Sequence, residues 1–174
     1  MALVRILIDG YNLLHAWERY QGFRDNQSYR LLHGWPELAP GRPRHSAFAR
    51  DELIHIVTRY HDAIGTPITI FFDGGGAAPG VAKSESSRHV EVLYSKAGQT
   101  ADDMIERATH RFQPYGDVLV VTDDYAERET VIALGGQAAS CANFIRDIES
   151  ALAEFTDDLK HYNRTEQNRF RHTR

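Results

Sequence analysis

Leu3-Val4-Arg5-Ile6-Leu7-Ile8, followed at once by Asp9-Gly10-Tyr11-Asn12, is the stretch from which the fold of this chain is read. The run is apolar except for Arg5, too short for a helix and rich in Ile, Leu and Val. Those features predict a strand buried on both faces at the centre of a parallel sheet. In open α/β sheets, ligands bind outside the carboxyl ends of the strands. Asp9 therefore falls at the mouth of a candidate site, with Asn12 close behind it.

Working outward, Ile68-Thr69-Ile70-Phe71-Phe72 reads as a second buried strand that stops on Asp73. His89 to Tyr94 alternates and reads as a third strand, nearer a sheet edge. Asp117 to Val121 is a fourth, ending on Thr122-Asp123-Asp124, and Gln137 to Ala139 is a short fifth. Helical segments separate them. One runs from Asn12 to Tyr20. One is capped by Ser46, carries the stripe Leu53, Ile54, Val57 and Tyr60, and is closed by Gly65 and Pro67. Thr100 caps the next, which turns Ile105, Ala108 and Phe112 inward. Another covers Tyr125 to Leu134, and the last, capped by Ser140, reaches about Leu159. Strands alternating with helices predict a three-layer α/β/α domain with a mostly parallel central sheet. It spans residues 1–159 and is followed by a basic tail, residues 160–174, where Lys160, Arg164, Arg169, Arg171 and Arg174 face the single acid Glu166.

The whole chain has 174 residues and a net charge of -4, so no global excess of positive charge advertises a nucleic-acid partner. Cys141 is the only cysteine, which rules out an internal disulfide and suits a reducing cytoplasm. The chain opens directly on its first strand, and no apolar run is long enough to span a membrane, so a soluble cytoplasmic protein is expected. Residues 21–45 hold Gly22, Gly34, Pro36, Pro40, Gly41 and Pro43 and read as a long loop, too aromatic (Phe23, Tyr29, Trp35) for a spacer. Its Arg24, Arg30, Arg42, Arg44 and His45 either line a path for an anionic substrate or are a solvated surface. Gly74-Gly75-Gly76 opens a second loop, to Ser87, with none of the Gly-Lys-Ser/Thr that a phosphate-cradling loop requires.

The carboxylates then fall into a pattern. Asp9, Asp73 and the pair Asp123 and Asp124 follow strand ends, and Asp102 and Asp103 open a helix after the third strand. Right-handed crossovers bring all of these to one edge of the sheet. Several carboxylates in one crevice repel each other unless cations occupy it. All-oxygen donors suit the hard ions Mg²⁺ or Mn²⁺. Hydrolysis of a phosphodiester is the reaction such a centre fits best. Singly, each acid has a plainer reading: Asp102 and Asp103 against a helix dipole, Asp123 and Asp124 as caps, Asp73 as turn chemistry. Asp9, directly after a buried strand, is the hardest to explain without a partner.

These motifs are familiar together. Asp9-Gly10-Tyr11-Asn12, Arg50-Asp51, Phe72-Asp73, Thr100-Ala101-Asp102-Asp103 with Glu106, and Thr122-Asp123-Asp124-Tyr125 resemble the YacP-like group of the NYN branch of PIN-like nucleases. The resemblance runs from about residue 3 to residue 158 and lies in the order and spacing of the motifs. It implies a PIN-like (NYN) fold and an endoribonuclease dependent on Mg²⁺ or Mn²⁺. The implied substrate is single-stranded RNA, with messenger RNA on the ribosome as one setting. By the same resemblance Asp9, Asp102 and Asp124 are metal-binding carboxylates. Asn12 is an auxiliary ligand or positions the attacking water, Asp73 completes or supports the site, and Thr122 orients it. Asp103 stands where the group usually has Glu, and Asp123 where it has Ser, so both join the candidate ligands.

Single-stranded RNA needs aromatic platforms for bases and cations along its backbone. Arg24, Arg42, Arg44, Lys83, Arg88 and Trp35 are the candidates for binding it, with Tyr11 and Trp17 better read as core. His15 is in reach of the site as a proton carrier, but a structural role suits it better, and Cys141 reads as a packing residue. A haloacid-dehalogenase-like phosphatase would need a second Asp where Tyr11 stands. The rival from another class is a non-catalytic RNA-binding or regulatory module on the same scaffold.

Overall fold

The computed structural model describes residues 2–23, 47–74 and 89–171. Its strands are β1 (Leu3–Asp9), β2 (Ile68–Phe72), β3 (Val90–Tyr94), β4 (Asp117–Val121) and β5 (Gln137–Ala139), and they form one sheet in the order β3-β2-β1-β4-β5. Every pairing between them is parallel. β1 holds the centre, as its composition predicts, with Ile6, Leu7 and Ile8 fully buried. β3 lies at the edge, as its alternating pattern predicts.

The two-residue period of β1 divides the core between the faces. Ile6 and Ile8 join Leu13, Trp17, Leu53, Val57, Phe144 and Ile148, from α1 (Gly10–Phe23), α2 (Ala47–Ile64) and α5 (Cys141–Arg171). Leu7 joins Ile105 and Val131, from α3 (Ala101–Phe112) and α4 (Tyr125–Ala133), on the other side. The result is a three-layer α/β/α domain.

Strand order positions the site. From β1 the chain moves outward through β2 to β3, then returns to the other flank of β1 as β4 and β5. The switch in direction falls between β1 and β4, and it is outside the carboxyl ends of such a pair that α/β sheets bind ligands.

The elements differ from the sequence reading at their ends. α1 begins at Gly10 rather than Asn12, because Asp9, the last residue of β1, also caps the helix by accepting the backbone N–H of Asn12 at 3.0 Å. It extends to Phe23, so the expected loop begins later; residues 24–46, Ser46 included, lie outside the described residues. The helix expected to stop near Leu159 continues to Arg171. No Gly or Pro interrupts that stretch, and the pairs Asp157–Lys160 and Glu166–Arg169 lie three residues apart along it. Its charge masked its helicity.

Gly10 is required by close approach. A Cβ there would lie 2.3 Å from the ring of Phe72, which is fully buried between Tyr11 and Tyr94. That ring has no room to retreat. Gly10→Ala is therefore expected to cost about 1–3 kcal/mol, read as a fall of roughly 3–10 °C in the thermal unfolding midpoint. An unchanged midpoint would mean that the turn between β1 and α1 yields more easily than this packing allows.

Candidate active site

Asp9 is buried at the switch point, and its carboxylate is held from one side. The Asn12 backbone N–H donates to Oδ1, and Asn12 Nδ2 donates to Oδ2 at 2.6 Å. The other end of the same amide, Oδ1, accepts the backbone N–H of Asp123 at 3.2 Å. One short side chain thus ties the end of β1 to the end of β4. Burial raises the pKa of Asp9, the bonds from Asn12 oppose the rise, and the charges of Asp102 and Asp73 add to it.

Asp73, exposed just beyond β2, accepts the backbone N–H of Ala101 at 2.7 Å and the Ser95 hydroxyl at 3.3 Å. It thereby fixes the first turn of α3, which carries Asp102. Asp102 is half-buried, and its pKa is raised by burial and then by the charges of Asp124, Asp73, Asp103 and Glu106. That list is the convergence of acids expressed as electrostatics. Asp103, the next residue, is turned to another task. It completes a capping box with Thr100, accepting the Thr100 N–H at 3.0 Å while its own N–H donates to Thr100 Oγ1 at 3.1 Å. Those bonds lower its pKa.

The acids after β4 also divide. Asp123 accepts the backbone N–H of Cys141 at 2.9 Å, capping α5, and pairs with Arg19 at 3.2 Å and Arg128 at 3.3 Å. Its oxygens are committed to holding three elements together. Asp124 caps α4, with Oδ1 accepting from Ala126 and Glu127, and its own N–H is taken by the buried Thr122 hydroxyl at 3.1 Å. Its charge is felt by Asp102 and by Glu127.

Glu127 is the residue that sequence reasoning missed. Asp124-Tyr125-Ala126-Glu127 has the form of a capping box, in which the glutamate would bond back to the N–H of the cap. Thr122 already takes that N–H, so the glutamate turns inward. It is only 4% exposed, and no donor meets either of its buried oxygens in hydrogen-bond geometry. Burial pushes its carboxyl up to about 7, tempered by the nearby Thr122 hydroxyl and reinforced by Asp102, Asp9 and Asp124. Asp9, Asp102 and Glu127 each offer an oxygen within 4.8 Å of the others. The only advance signal was an acid in the first turn of a helix that starts at the site.

This donor set fits a hard divalent cation: it is all carboxylate, partly desolvated, and contains a buried acid without a donor. Among the other residues singled out, Cys141 is buried and its thiol is pushed up by burial, while Trp17 is core. Arg24, Trp35, Arg42, Arg44, Lys83 and Arg88 lie outside the described residues.

Metal-free protein reports on Glu127 directly. Unfolded, the group ionises near 4.5; folded, it holds its proton until about 7. The native state therefore binds the extra proton, and stability falls as pH rises from 4.5 to 7. The full cost above that range is on the order of 3 kcal/mol. In EDTA, Glu127→Gln is expected to remove this decline, so that its unfolding midpoint gains on wild type between pH 4.5 and pH 8. Parallel pH profiles for the two proteins would contradict the assignment.

The chain resembles known proteins in sequence and in fold. The YacP-like NYN domain family matches residues 27–173. The uncharacterized protein YacP of Bacillus subtilis (strain 168) is 25% identical over 146 residues, covering 83% of this chain and 75% of that protein. The crystal structure of Rae1 (YacP) from Bacillus subtilis superposes with a TM-score of 0.66 at 23% identity, over 97% of this chain and 85% of that one. A single-substitution mutant of Rae1 gives the same TM-score at 22% identity, over 92% and 84%. With the all-parallel sheet and the acids at its switch point, these matches lead to one conclusion: the chain belongs to the YacP-like NYN domain family, within the PIN-like nucleases.

Proposed function

We propose that this protein is a metal-dependent endoribonuclease that cleaves single-stranded RNA, with messenger RNA, including messenger on the ribosome, as its substrate in a reducing cytoplasm. The observation that carries the reading is the gathering of Asp9, Asp102 and Glu127, ligand atoms within 4.8 Å of one another, with the buried Glu127 oxygens outside hydrogen-bond geometry with any donor among the described residues. These three, with Asp124 beside them, would hold Mg²⁺ or Mn²⁺. The ion supplies Lewis acidity for an in-line attack of water on phosphorus.

The remaining residues position. Asn12 locks Asp9 and the β4 turn into one geometry, Asp73 fixes the helix that presents Asp102, and Thr122 leaves Glu127 free to face the crevice. Asp103 and Asp123, occupied by Thr100 and by Arg19, Arg128 and Cys141, serve the frame. A cation stands among aromatics that neighbour Asp9 and Asp73 in sequence. Arg50 Nη1 donates to the Tyr11 hydroxyl at 3.4 Å, and its guanidinium carbon lies 5.9 Å from the ring centre of Tyr94, which stacks on Phe72. Tyr11 is two residues from Asp9, and Phe72 directly precedes Asp73. Arg50 would receive a backbone phosphate next to the scissile bond, and the tyrosines a base face.

Cleavage of a mixed single-stranded RNA pool with Mn²⁺, Mg²⁺ or EDTA tests the reading. Asp9→Asn and Glu127→Gln are expected to lose activity about a hundredfold or more, whereas Asp123→Asn mainly lowers the unfolding midpoint. Turnover by Asp9→Asn equal to wild type would sink the enzyme reading. Metal binding without cutting would point to a required partner, and neither would leave an RNA-binding module on the same scaffold.

Arg50→Ala should weaken RNA binding about tenfold and reduce the salt dependence by one phosphate, a slope change of roughly 0.7, with metal binding unchanged. An unaltered slope would remove Arg50 from the RNA path.

A further inference from the structure

We propose that the outer half of α5 pairs with the same segment of a second copy of this chain, as an antiparallel helix pair. The inference stands apart from the nuclease reading. It begins with spacing. Ile145, Ile148, Leu152, Phe155, Leu159 and Tyr162 follow one another by alternating steps of three and four residues, the repeat of a coiled-coil seam. The inner three of these are buried against the domain. The outer three continue the same stripe into solvent, with Phe155 38%, Leu159 47% and Tyr162 63% exposed.

The helix around them is bare. Residues 154–165 are exposed on every side of α5. Isolated helices of such length are marginal in water and draw their stability from packing of an apolar face. Charge pairs along the helix, Asp157–Lys160 and Glu166–Arg169, add only a few tenths of a kcal/mol each to an isolated helix. Among the described residues nothing covers the outer apolar face, and a packing partner for it is the missing element.

Charge selects the occupant. Before Leu159 stand Glu154, Asp157 and Asp158; after it come Lys160, Arg164, Arg169 and Arg171, relieved only by Glu166. A uniformly acidic or basic partner complements one half and is repelled by the other. RNA would be repelled by the acidic turn. A parallel copy would set acid against acid. An antiparallel copy sets the acidic turn of each chain on the basic turn of the other, with Leu159 packing near Phe155 and Tyr162 across a two-fold axis, the closed symmetry that most homodimers use. At 1.5 Å per residue, Leu159 lies about 27 Å along α5 from Cys141, whose N–H is bound by Asp123, so pairing leaves both acidic crevices open.

Two helical segments of this length bury less than a standard-size interface, so the dimer should form with a Kd in the micromolar range, roughly 1–50 µM. Sedimentation velocity of the full-length protein over a concentration series in that range tests it. A dimer is expected that weakens as NaCl rises, since its charge match is exposed, and that Leu159→Lys and Tyr162→Glu each shift at least tenfold toward monomer while leaving the unfolding midpoint of the domain unchanged. Thr165→Cys should form no disulfide between chains, because antiparallel pairing keeps the two copies of that residue apart. A monomer at 100 µM would overturn the proposal and assign the stripe to a different partner. So would a dimer indifferent to Leu159→Lys, and efficient cross-linking at Thr165 would overturn the antiparallel arrangement.

Discussion

Mutual repulsion among carboxylates is the constraint around which this molecule is built. Asp9, Asp102 and Glu127 bring like charges within 4.8 Å in a partly desolvated crevice, a placement that opposes folding unless something else holds each residue there. The side chain of Asn12 is central to that holding. Its amide donates to Asp9 and accepts from the backbone of Asp123, so the ends of β1 and β4 cannot separate to relieve the repulsion. Asp73 does the same for α3 through the N–H of Ala101. The crevice is held by hydrogen bonds to backbone N–H groups and by the Asn12 amide.

This yields a division of labour among chemically identical groups. Asp103 and Asp123 have their oxygens taken by N–H groups and guanidinium groups and behave as structural acceptors. Asp124 shares its duties, capping α4 while adding charge to the crevice. Glu127 is buried with no donor in good hydrogen-bond geometry, the condition under which a carboxylate holds its proton near neutral pH or takes a cation. What separates the roles is the supply of nearby donors. Thr122 makes the decisive choice, because its hydroxyl takes the N–H that would otherwise have claimed Glu127.

α5 serves two ends of the molecule. Its first N–H is received by Asp123 at the crevice, its inner turns seal one face of the sheet with Phe144, Ile145 and Ile148, and its outer turns carry the apolar stripe away from the domain. A single uninterrupted helix therefore links the frame of the site to the surface proposed for self-association, without either region touching the other.

Much of this was legible in one dimension. Burial and strand length are local properties, so the apolar runs at Leu3–Ile8, Ile68–Phe72 and Asp117–Val121, the Thr100 cap and the alternation of strands with helices led to the α/β/α sheet and to the acids at its carboxyl edge. The order of the motifs also carried the family. Two things needed the third dimension. Which acids face the crevice depends on competition for donors between residues distant in sequence: Asn12 reaches Asp123, and Asp73 reaches Ala101, contacts that no periodicity encodes. Glu127 was hidden because its local sequence fits a capping box, and only the position of the Thr122 hydroxyl tells otherwise. Likewise the extent of α5 was obscured because charge reads as tail, whereas a helix needs only an unbroken run of residues without Gly or Pro. Sequence determined the elements and the chemistry available at their ends; tertiary structure decided which carboxylates are spent on the frame and which are gathered in the crevice, because that depends on where the donors lie in space.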